Sequence, residues 1–340
     1  LLLYIIPKLR REANKTYIPV HKELFTMKNW KIGVLGGGKM GVGIAQMFAT
    51  KGCSVKVILV GNDRERGDSR PNMESNLKIL AENGVVDTAD IPKILDRVSY
   101  TEDMSEVAKF ADIIFECIVE KLEIKQDYFK TLDQLCPAHV ILASNTSAIS
   151  ITQIAQLSNH KERIIGTHYW NPAYLIPLVE VIKTEYVSEE TVSRTFEILR
   201  AGGKRPVLVQ KDVPGFLANR LQHALFREAI SIVEKGIATP QDVDEAIKYG
   251  FGMRVGISAP FEVMDMGGLD LTNNIHSYLF PYLEDTHQAQ KLLTDHIAKG
   301  ELGFKTSGHG FVERTQAEMD ACNKNLVAQL IKVARALERL

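Results

Sequence analysis

Short apolar runs alternate with helical stretches across residues 31–209 of the chain. We predict a β-strand at each run, because the runs are short, apolar and bounded by turn residues. The predicted strands cover residues 32–35, 55–60, 112–119, 140–143, 164–168, 178–182 and 206–209. A helix is predicted at 41–50, ended by Gly52. Apolar strands separated by helices are typical of a mainly parallel sheet that helices cover on both faces.

The pattern changes at residues 211–215, after which the chain is predicted to be almost wholly helical. Apolar side chains recur at helical spacing between Leu221 and Val233. A further helix is predicted to start at Thr239, because threonine caps helix N-termini and the following Pro240 suits a first turn.

These patterns predict two domains, residues 28–212 and 213–340. Residues 1–27 have no clear periodicity, and we expect an N-terminal extension foreign to the domain; a short arm packed on the surface is the alternative. The long apolar helices of the second domain predict a homodimer formed through that domain.

Composition excludes several functional classes. The chain has 340 residues, of which 45% are hydrophobic and 24% charged, as in ordinary globular proteins. Its 41 basic and 42 acidic residues leave a net charge of −1, so no basic excess favours nucleic-acid binding. No apolar run approaches the roughly 20 residues that cross a bilayer. The four cysteines show neither CxxC pairs nor zinc-ligand spacing. We therefore expect a cytoplasmic protein without membrane, nucleic-acid or metal partners, acting on a small molecule.

A glycine-rich turn provides the strongest local motif. Gly36, Gly38 and Gly41 form GxGxxG between the first strand and the first helix. The first glycine permits a tight turn, the second allows close approach of a pyrophosphate, and the third allows the helix to pack on the strand. With Lys39 and Met40 between them, these residues are predicted to bind a dinucleotide at the helix N-terminus. The fold class is therefore α/β, with a Rossmann-type doubly wound sheet followed by an all-helical domain.

The second strand should end at an acid that binds the ribose hydroxyls. That acid is displaced here, and Asp63 is the candidate. Alternatively, Asn62 and Arg64 bind the 2′-phosphate of NADP. NAD is the predicted cofactor, with NADP left open.

Further motifs follow later strands. They occupy residues 115–125, 143–147, 167–172, 177–181 and 212–220, with 260–270 and 303–311 in the second domain. Their order and spacing resemble the 3-hydroxyacyl-CoA dehydrogenase family over residues 28–312. The resemblance implies NAD-dependent oxidation of a 3-hydroxy group to a ketone on a short-chain acyl-CoA, and a role in fatty-acid metabolism.

The residues themselves fit alcohol oxidation. Histidine is the natural base near neutral pH, and His168 ends an apolar strand ahead of an Asn-Pro turn. Glu180 lies in the next strand, where a carboxylate would orient the imidazole. The family resemblance assigns the catalytic pair to these two residues. It also implies substrate-oxygen contacts for Ser147 and Asn219, and cofactor contacts for Glu120, Lys125 and Asn145.

The substrate motifs depart from the acyl-CoA pattern. Pro177 stands where acyl-CoA members typically carry lysine, and Asn76 and Asn83 stand where a Ser/Lys pair is expected. Residues 176–180 are similar to the branch with gulonate and carnitine dehydrogenases and lambda-crystallin. A small non-CoA hydroxy acid is therefore an alternative substrate, and a non-catalytic NAD(P)-binding protein is a second alternative. Arg70, Lys78 and Arg254 are candidates to hold a CoA phosphate or a carboxylate.

Overall fold

A computed structural model describes residues 29–61 and 63–340. The predicted N-terminal extension and Asn62 lie outside the described residues. The side chains of Asp63 and Arg64 also lie outside, so the ribose-binding assignment remains a prediction.

Eight strands form one sheet in the order β3-β2-β1-β4-β5-β6-β7-β8. The strands are β1 (Lys31–Leu35), β2 (Ser54–Ile58), β3 (Val98–Thr101), β4 (Ile113–Glu116), β5 (Ile141–Ser144), β6 (Ile164–Tyr169), β7 (Leu178–Ile182) and β8 (Arg205–Val209). All neighbours run parallel except β6 and β7, which are antiparallel. The predicted mainly parallel sheet is confirmed.

Two strand predictions need correction. Strand β3 was not predicted, because its sequence Val-Ser-Tyr-Thr is short and half polar. The run predicted as 112–119 is a strand only to Glu116. The Cys117 amide still donates to the Leu35 carbonyl of β1, but the next amide, that of Ile118, donates to the Glu116 side chain, and the chain leaves the sheet there. The shorter strand places the following loop at the carboxyl edge of the sheet, beside the glycine-rich turn.

Helices cover both faces of the sheet. In the first domain they are α1 (Lys39–Thr50), α2 (Asp63–Glu82), α3 (Ile91–Asp96), α4 (Met104–Phe110), α5 (Leu122–Leu135), α6 (Ile151–Ile154) and α7 (Glu189–Ala201). Phe115 packs in the core on the α1 face, and its neighbour Ile114 packs on the opposite face with Phe129 of α5. Alternate residues of one strand thus enter two cores, which explains why the strands are apolar throughout.

The second part of the chain is helical, as predicted. Its helices are α8 (Ala218–Glu234), α9 (Pro240–Tyr249), α10 (Phe251–Val255), α11 (Pro260–Gly267), α12 (Leu269–Leu279), α13 (Lys291–Ala298) and α14 (Gln316–Ala336). The predicted start of α9 is confirmed: the Thr239 side chain accepts a hydrogen bond from the Asp242 amide. No helix within the described ranges is both long and apolar enough to cross a membrane.

The last helix returns to the first domain. Ile331 of α14 is buried against Leu80 of α2 and Leu175 of the β6–β7 loop. Arg335 donates hydrogen bonds to the carbonyls of Asn83 (2.6 Å) and Gly84 (2.7 Å), just beyond the end of α2. These carbonyls are not bonded within the helix, so the arginine acts as a C-terminal cap. Helix α14 therefore braces the loop that joins β6 to β7.

Candidate active site

The glycine-rich turn has the geometry of a phosphate cradle. Gly36 has φ +106°, and a Cβ there would lie 2.8 Å from the Cys117 carbonyl oxygen. A Cβ on Gly41 would lie 1.9 Å from the Gly36 carbonyl oxygen, whereas one on Gly38 would meet no atom within 4 Å. The turn is therefore closed on the protein side and open at Gly38, as a bound pyrophosphate requires.

The start of α1 leaves amides for such a ligand. Gly38 is the N-cap and makes no side-chain capping bond, and the first turn has no acidic side chain. Lys39 is exposed and Met40 half-buried, so their backbone forms the rim of the turn. Unpaired N–H groups and the positive end of the helix dipole attract phosphate. The residues present fit a dinucleotide.

His168 and Glu180 face each other across the antiparallel pair β6/β7. His168 Nδ1 lies 2.6 Å from Glu180 Oε2. The His168 residue is 5% exposed and Glu180 is 0% exposed. A charged carboxylate only accepts hydrogen bonds, so Nδ1 carries the proton and Nε2 is left as the basic nitrogen. The one antiparallel pairing in this sheet thus creates a histidine base oriented by a carboxylate.

The second domain also binds this carboxylate. Glu180 Oε1 accepts hydrogen bonds from the amides of Leu217 (2.9 Å) and Ala218 (2.8 Å) at the start of α8. Burial by itself raises the pKa of the Glu180 carboxyl, but the hydrogen bonds from His168 and these amides outweigh burial and lower it. The carboxylate is therefore charged, and it ties the catalytic strand to the first helix of the second domain.

A turn with positive φ values packs an aromatic ring on the base. Gly215 has φ +75° and Phe216 has φ +49°. Phe216 is buried, and its ring centroid lies 5.7 Å from that of His168. A left-handed backbone is costly for a bulky residue, so the surrounding structure must hold it in place. Sequence reasoning placed this turn at a domain boundary and missed its contact with the base.

Ser147 and Asn219 come together from the two domains. Asn219 Nδ2 donates to the Ser147 carbonyl oxygen at 3.3 Å. Ser147 is exposed, and its hydroxyl has no hydrogen-bond partner among the described residues. Asn145 Oδ1 accepts a hydrogen bond from the Tyr169 amide at 2.9 Å, next to His168. The structure thus groups these predicted site residues at the end of β5, and their contacts with substrate and cofactor remain predictions.

A buried ionic network supports the loops on this side of the site. Lys125 Nζ lies 2.5 Å from Glu116 Oε1 and 3.2 Å from Glu120 Oε2. Ser144 Oγ donates to the second oxygen of Glu116 at 2.6 Å. Sequence reasoning missed Glu116 and Ser144, because both belong to apolar strand patterns. Lys125 was predicted to contact the cofactor; the structure places its ammonium group inside this network.

Glu120 joins that network to Ser147. Its Oε1 accepts hydrogen bonds from Thr146 Oγ1 (2.5 Å) and from the Ser147 amide (3.0 Å). Burial raises the pKa of Glu120, but the Thr146 hydrogen bond and the Lys125 charge outweigh burial and lower the pKa. A charged Glu120 therefore fixes the loop that carries Asn145 and Ser147.

Lys204 is another residue that the sequence did not reveal. Its Nζ is buried and donates to the carbonyl oxygens of Ala173 (2.5 Å) and Ile176 (2.7 Å) in the β6–β7 loop. Burial, followed by the charge of Lys51, lowers the pKa of Lys204 to about 7. The lysine holds the loop between the strands that carry the catalytic pair.

Together, the phosphate cradle and the histidine–carboxylate pair on the same sheet define a class: a dinucleotide-dependent dehydrogenase with a Rossmann domain and a helical second domain. Within the described part of the chain, no group of three potential ligands is arranged to hold a metal ion.

Comparison with known proteins identifies the family. The family model for "3-hydroxyacyl-CoA dehydrogenase, NAD binding domain" matches residues 31–213, and that for the C-terminal domain matches 215–314. The chain belongs to the 3-hydroxyacyl-CoA dehydrogenase family, as the resemblance predicted, and it is an NAD-dependent oxidoreductase of that type. NAD is confirmed as the cofactor.

Two relatives illustrate the range of the family. Human mitochondrial hydroxyacyl-coenzyme A dehydrogenase is 37% identical over 287 residues, 82% of this chain and 90% of the relative. The 5-formyl-3-hydroxy-2-methylpyridine 4-carboxylate 5-dehydrogenase of Mesorhizobium japonicum is 32% identical over 309 residues, 90% of this chain and 98% of the relative.

Solved structures show the same range. A crystal structure named for the pyridine carboxylate dehydrogenase, an NAD+-dependent dismutase, superposes with TM-score 0.83 and 30% identity, covering 91% of this chain and 98% of its own. The (S)-3-hydroxybutyryl-CoA dehydrogenase of Ralstonia eutropha gives TM-score 0.69 and 29% identity, covering 84% and 99%. The chain thus matches both an acyl-CoA dehydrogenase and a dehydrogenase of a pyridine carboxylate. These matches do not identify its own substrate.

Proposed function

We propose that this protein oxidises the 3-hydroxyl group of a short-chain 3-hydroxyacyl-CoA to a ketone, with NAD as the cofactor. The observation that carries the proposal is the 2.6 Å contact between His168 Nδ1 and Glu180 Oε2, which leaves Nε2 as the base. Members of this family named for 3-hydroxybutyryl-CoA and hydroxyacyl-CoA support the substrate class.

The chemistry follows from the positions of the side chains. The substrate hydroxyl gives its proton to His168 Nε2 as the carbonyl forms, and buried Glu180 stabilises the resulting imidazolium. NAD, when bound, supplies the hydride acceptor. We propose that the Ser147 hydroxyl and the Asn219 amide bind the substrate oxygen. Their binding orients the reacting hydroxyl toward the base.

A free hydroxy acid is the second candidate, and two observations favour it. Arg70 and Lys78, two of the cations on α2, contact their own neighbours: Arg70 donates to the Leu95 carbonyl at 3.3 Å, and Lys78 pairs with Glu74 at 2.7 Å. The family models end at residue 314, whereas the match to the pyridine carboxylate dehydrogenase covers 90% of this chain. Gulonate, carnitine and similar acids belong to this candidate class.

The rate of NADH oxidation with acetoacetyl-CoA, against acetoacetate as the matched control, separates the candidates. We expect kcat/KM for the thioester to exceed that for the free acid by at least about tenfold, or ~1.4 kcal/mol of transition-state binding. A fluorescence titration with NADH shows whether the protein binds its cofactor.

A higher rate with acetoacetate would overturn the thioester assignment. The next assay would then be a panel of carnitine, gulonate and 3-hydroxybutyrate with NAD. NADH binding without turnover on every substrate would instead favour the non-catalytic alternative.

We also propose a homodimer formed through the helical domain. Helices α9 to α12 expose large apolar side chains: Tyr249 (77%), Phe261 (80%), Met266 (80%) and Tyr278 (75%). An exposed apolar surface of this extent marks a protein interface, and a second copy is the commonest partner. Sedimentation is expected to give twice the 38.0 kDa chain mass, and Phe261→Asp is expected to shift the protein toward monomer. A monomeric wild-type protein at micromolar concentration would exclude this interface.

A further inference from the structure

Trp170 donates a hydrogen bond to the catalytic carboxylate. It lies just beyond β6, and its Nε1 lies 3.3 Å from Glu180 Oε2. That oxygen also receives His168 Nδ1, at 2.6 Å. The indole N–H can only donate a hydrogen bond, so it cannot replace the carboxylate as the acceptor for His168. Histidine and tryptophan therefore share one oxygen.

The remaining contacts of the carboxylate come from neutral groups. Its other oxygen accepts the amides of Leu217 and Ala218 at the start of α8. Among the described residues, His168 is the ionisable side chain that acts on Glu180. The ring of Phe216, on the turn before α8, packs near His168 and contributes no hydrogen bond to the pair. Within this set, Trp170 is the side chain whose removal changes the charge density on Oε2 without altering a catalytic group.

We propose that Trp170 is a positioning residue that sets the basicity of His168 through the shared Glu180 oxygen. The inference rests on the proposed function, because it assumes that this pair is the catalytic base. A donor to Oε2 withdraws charge from the carboxylate, so the carboxylate holds the imidazolium proton less strongly. Removing the donor is therefore expected to make His168 a stronger base.

Trp170→Phe tests the proposal, because it removes the donor and keeps an aromatic ring. Phe216→Leu is the matched control, since both rings lie 5.7 Å from the His168 ring but only Trp170 has a donor. We expect Trp170→Phe to raise the titration midpoint of His168 by about half to one pH unit. Phe216→Leu is expected to leave the midpoint in place while lowering the rate.

Two measurements report the midpoint. One is the acid limb of kcat/KM against pH. The other is NMR titration of 13C-labelled histidine in the full-length protein, with His168→Gln identifying the resonance. Since the NMR titration needs no substrate, it tests Trp170 even if the proposed reaction is wrong. Full turnover in His168→Gln would reject His168 as the base and leave the titration result standing.

An unshifted midpoint in Trp170→Phe would overturn the proposal, as would equal shifts in Trp170→Phe and Phe216→Leu. Thermal unfolding shows whether each variant is folded. Trp170→Tyr provides a second variant, because its hydroxyl lies at a different place on the ring from the indole N–H. The same upward shift is expected from it.

Discussion

Replacing His168 by glutamine is expected to lower kcat by about 10²-fold or more, as loss of a general base does. Glutamine has similar polarity but cannot take up the substrate proton near neutral pH. NAD affinity is expected to change little, because His168 lies on β6 and the phosphate cradle lies between β1 and α1. Steady-state kinetics and NADH fluorescence titration measure the two quantities separately.

His139→Gln is the matched control, because this histidine is exposed. It is expected to retain wild-type kinetics. If His168→Gln turned over at a near-normal rate, with the control also active, the base would have to be another group. If both variants lost activity, the loss would reflect general damage and not the chemistry of His168.

The second large effect is expected at Gly41, where alanine should lower NAD affinity by at least about tenfold and stability by ~2–3 kcal/mol. The added Cβ would lie 1.9 Å from the Gly36 carbonyl oxygen and 3.2 Å from Val34 Cγ1. The Gly36 backbone and strand β1 cannot relieve these contacts unless α1 moves away from β1. Urea unfolding and NADH titration report the two effects.

Two other glycines serve as controls for Gly41→Ala. A Cβ at Gly38 meets no atom within 4 Å, so Gly38→Ala is expected to keep stability within about 0.5 kcal/mol while weakening NAD binding. Gly67 lies in α2, also with open space, and alanine there is expected to stabilise the helix by up to ~1 kcal/mol without affecting NAD. Wild-type stability and NAD affinity in Gly41→Ala would contradict the cradle geometry.

Much of the first domain is predictable from local pattern. Apolar runs identify seven of the eight strands, because a strand buried on both faces needs apolar residues at every position. Strand β3 is the exception: Ser99 and Thr101 are polar, and only pairing with β2 makes this segment a strand. The spacing of the glycines predicts the cofactor-binding turn, because local steric constraints require glycine at each of these positions.

The active site is predictable only in part. The sequence shows His168 before an Asn-Pro turn and Glu180 in the next apolar strand. From the sequence, their pairing is only predicted. The antiparallel register of β6 and β7 decides it, by placing His168 opposite Glu180. Hydrogen bonds from Trp170 and from the start of α8 then add three donors that no spacing rule reveals.

The sequence by itself determined the family, the Rossmann-type first domain and the helical second domain, and it predicted the catalytic pair. These depend on short segments in which side-chain pattern and backbone geometry are coupled locally. The tertiary structure alone decided the Glu116–Lys125–Glu120 network, the loop support by Lys204 and the return of α14 to α2. These contacts join different elements, at separations such as nine positions for Glu116 and Lys125 and 252 for Arg335 and Asn83. They depend on how whole elements pack, so no local pattern predicts them.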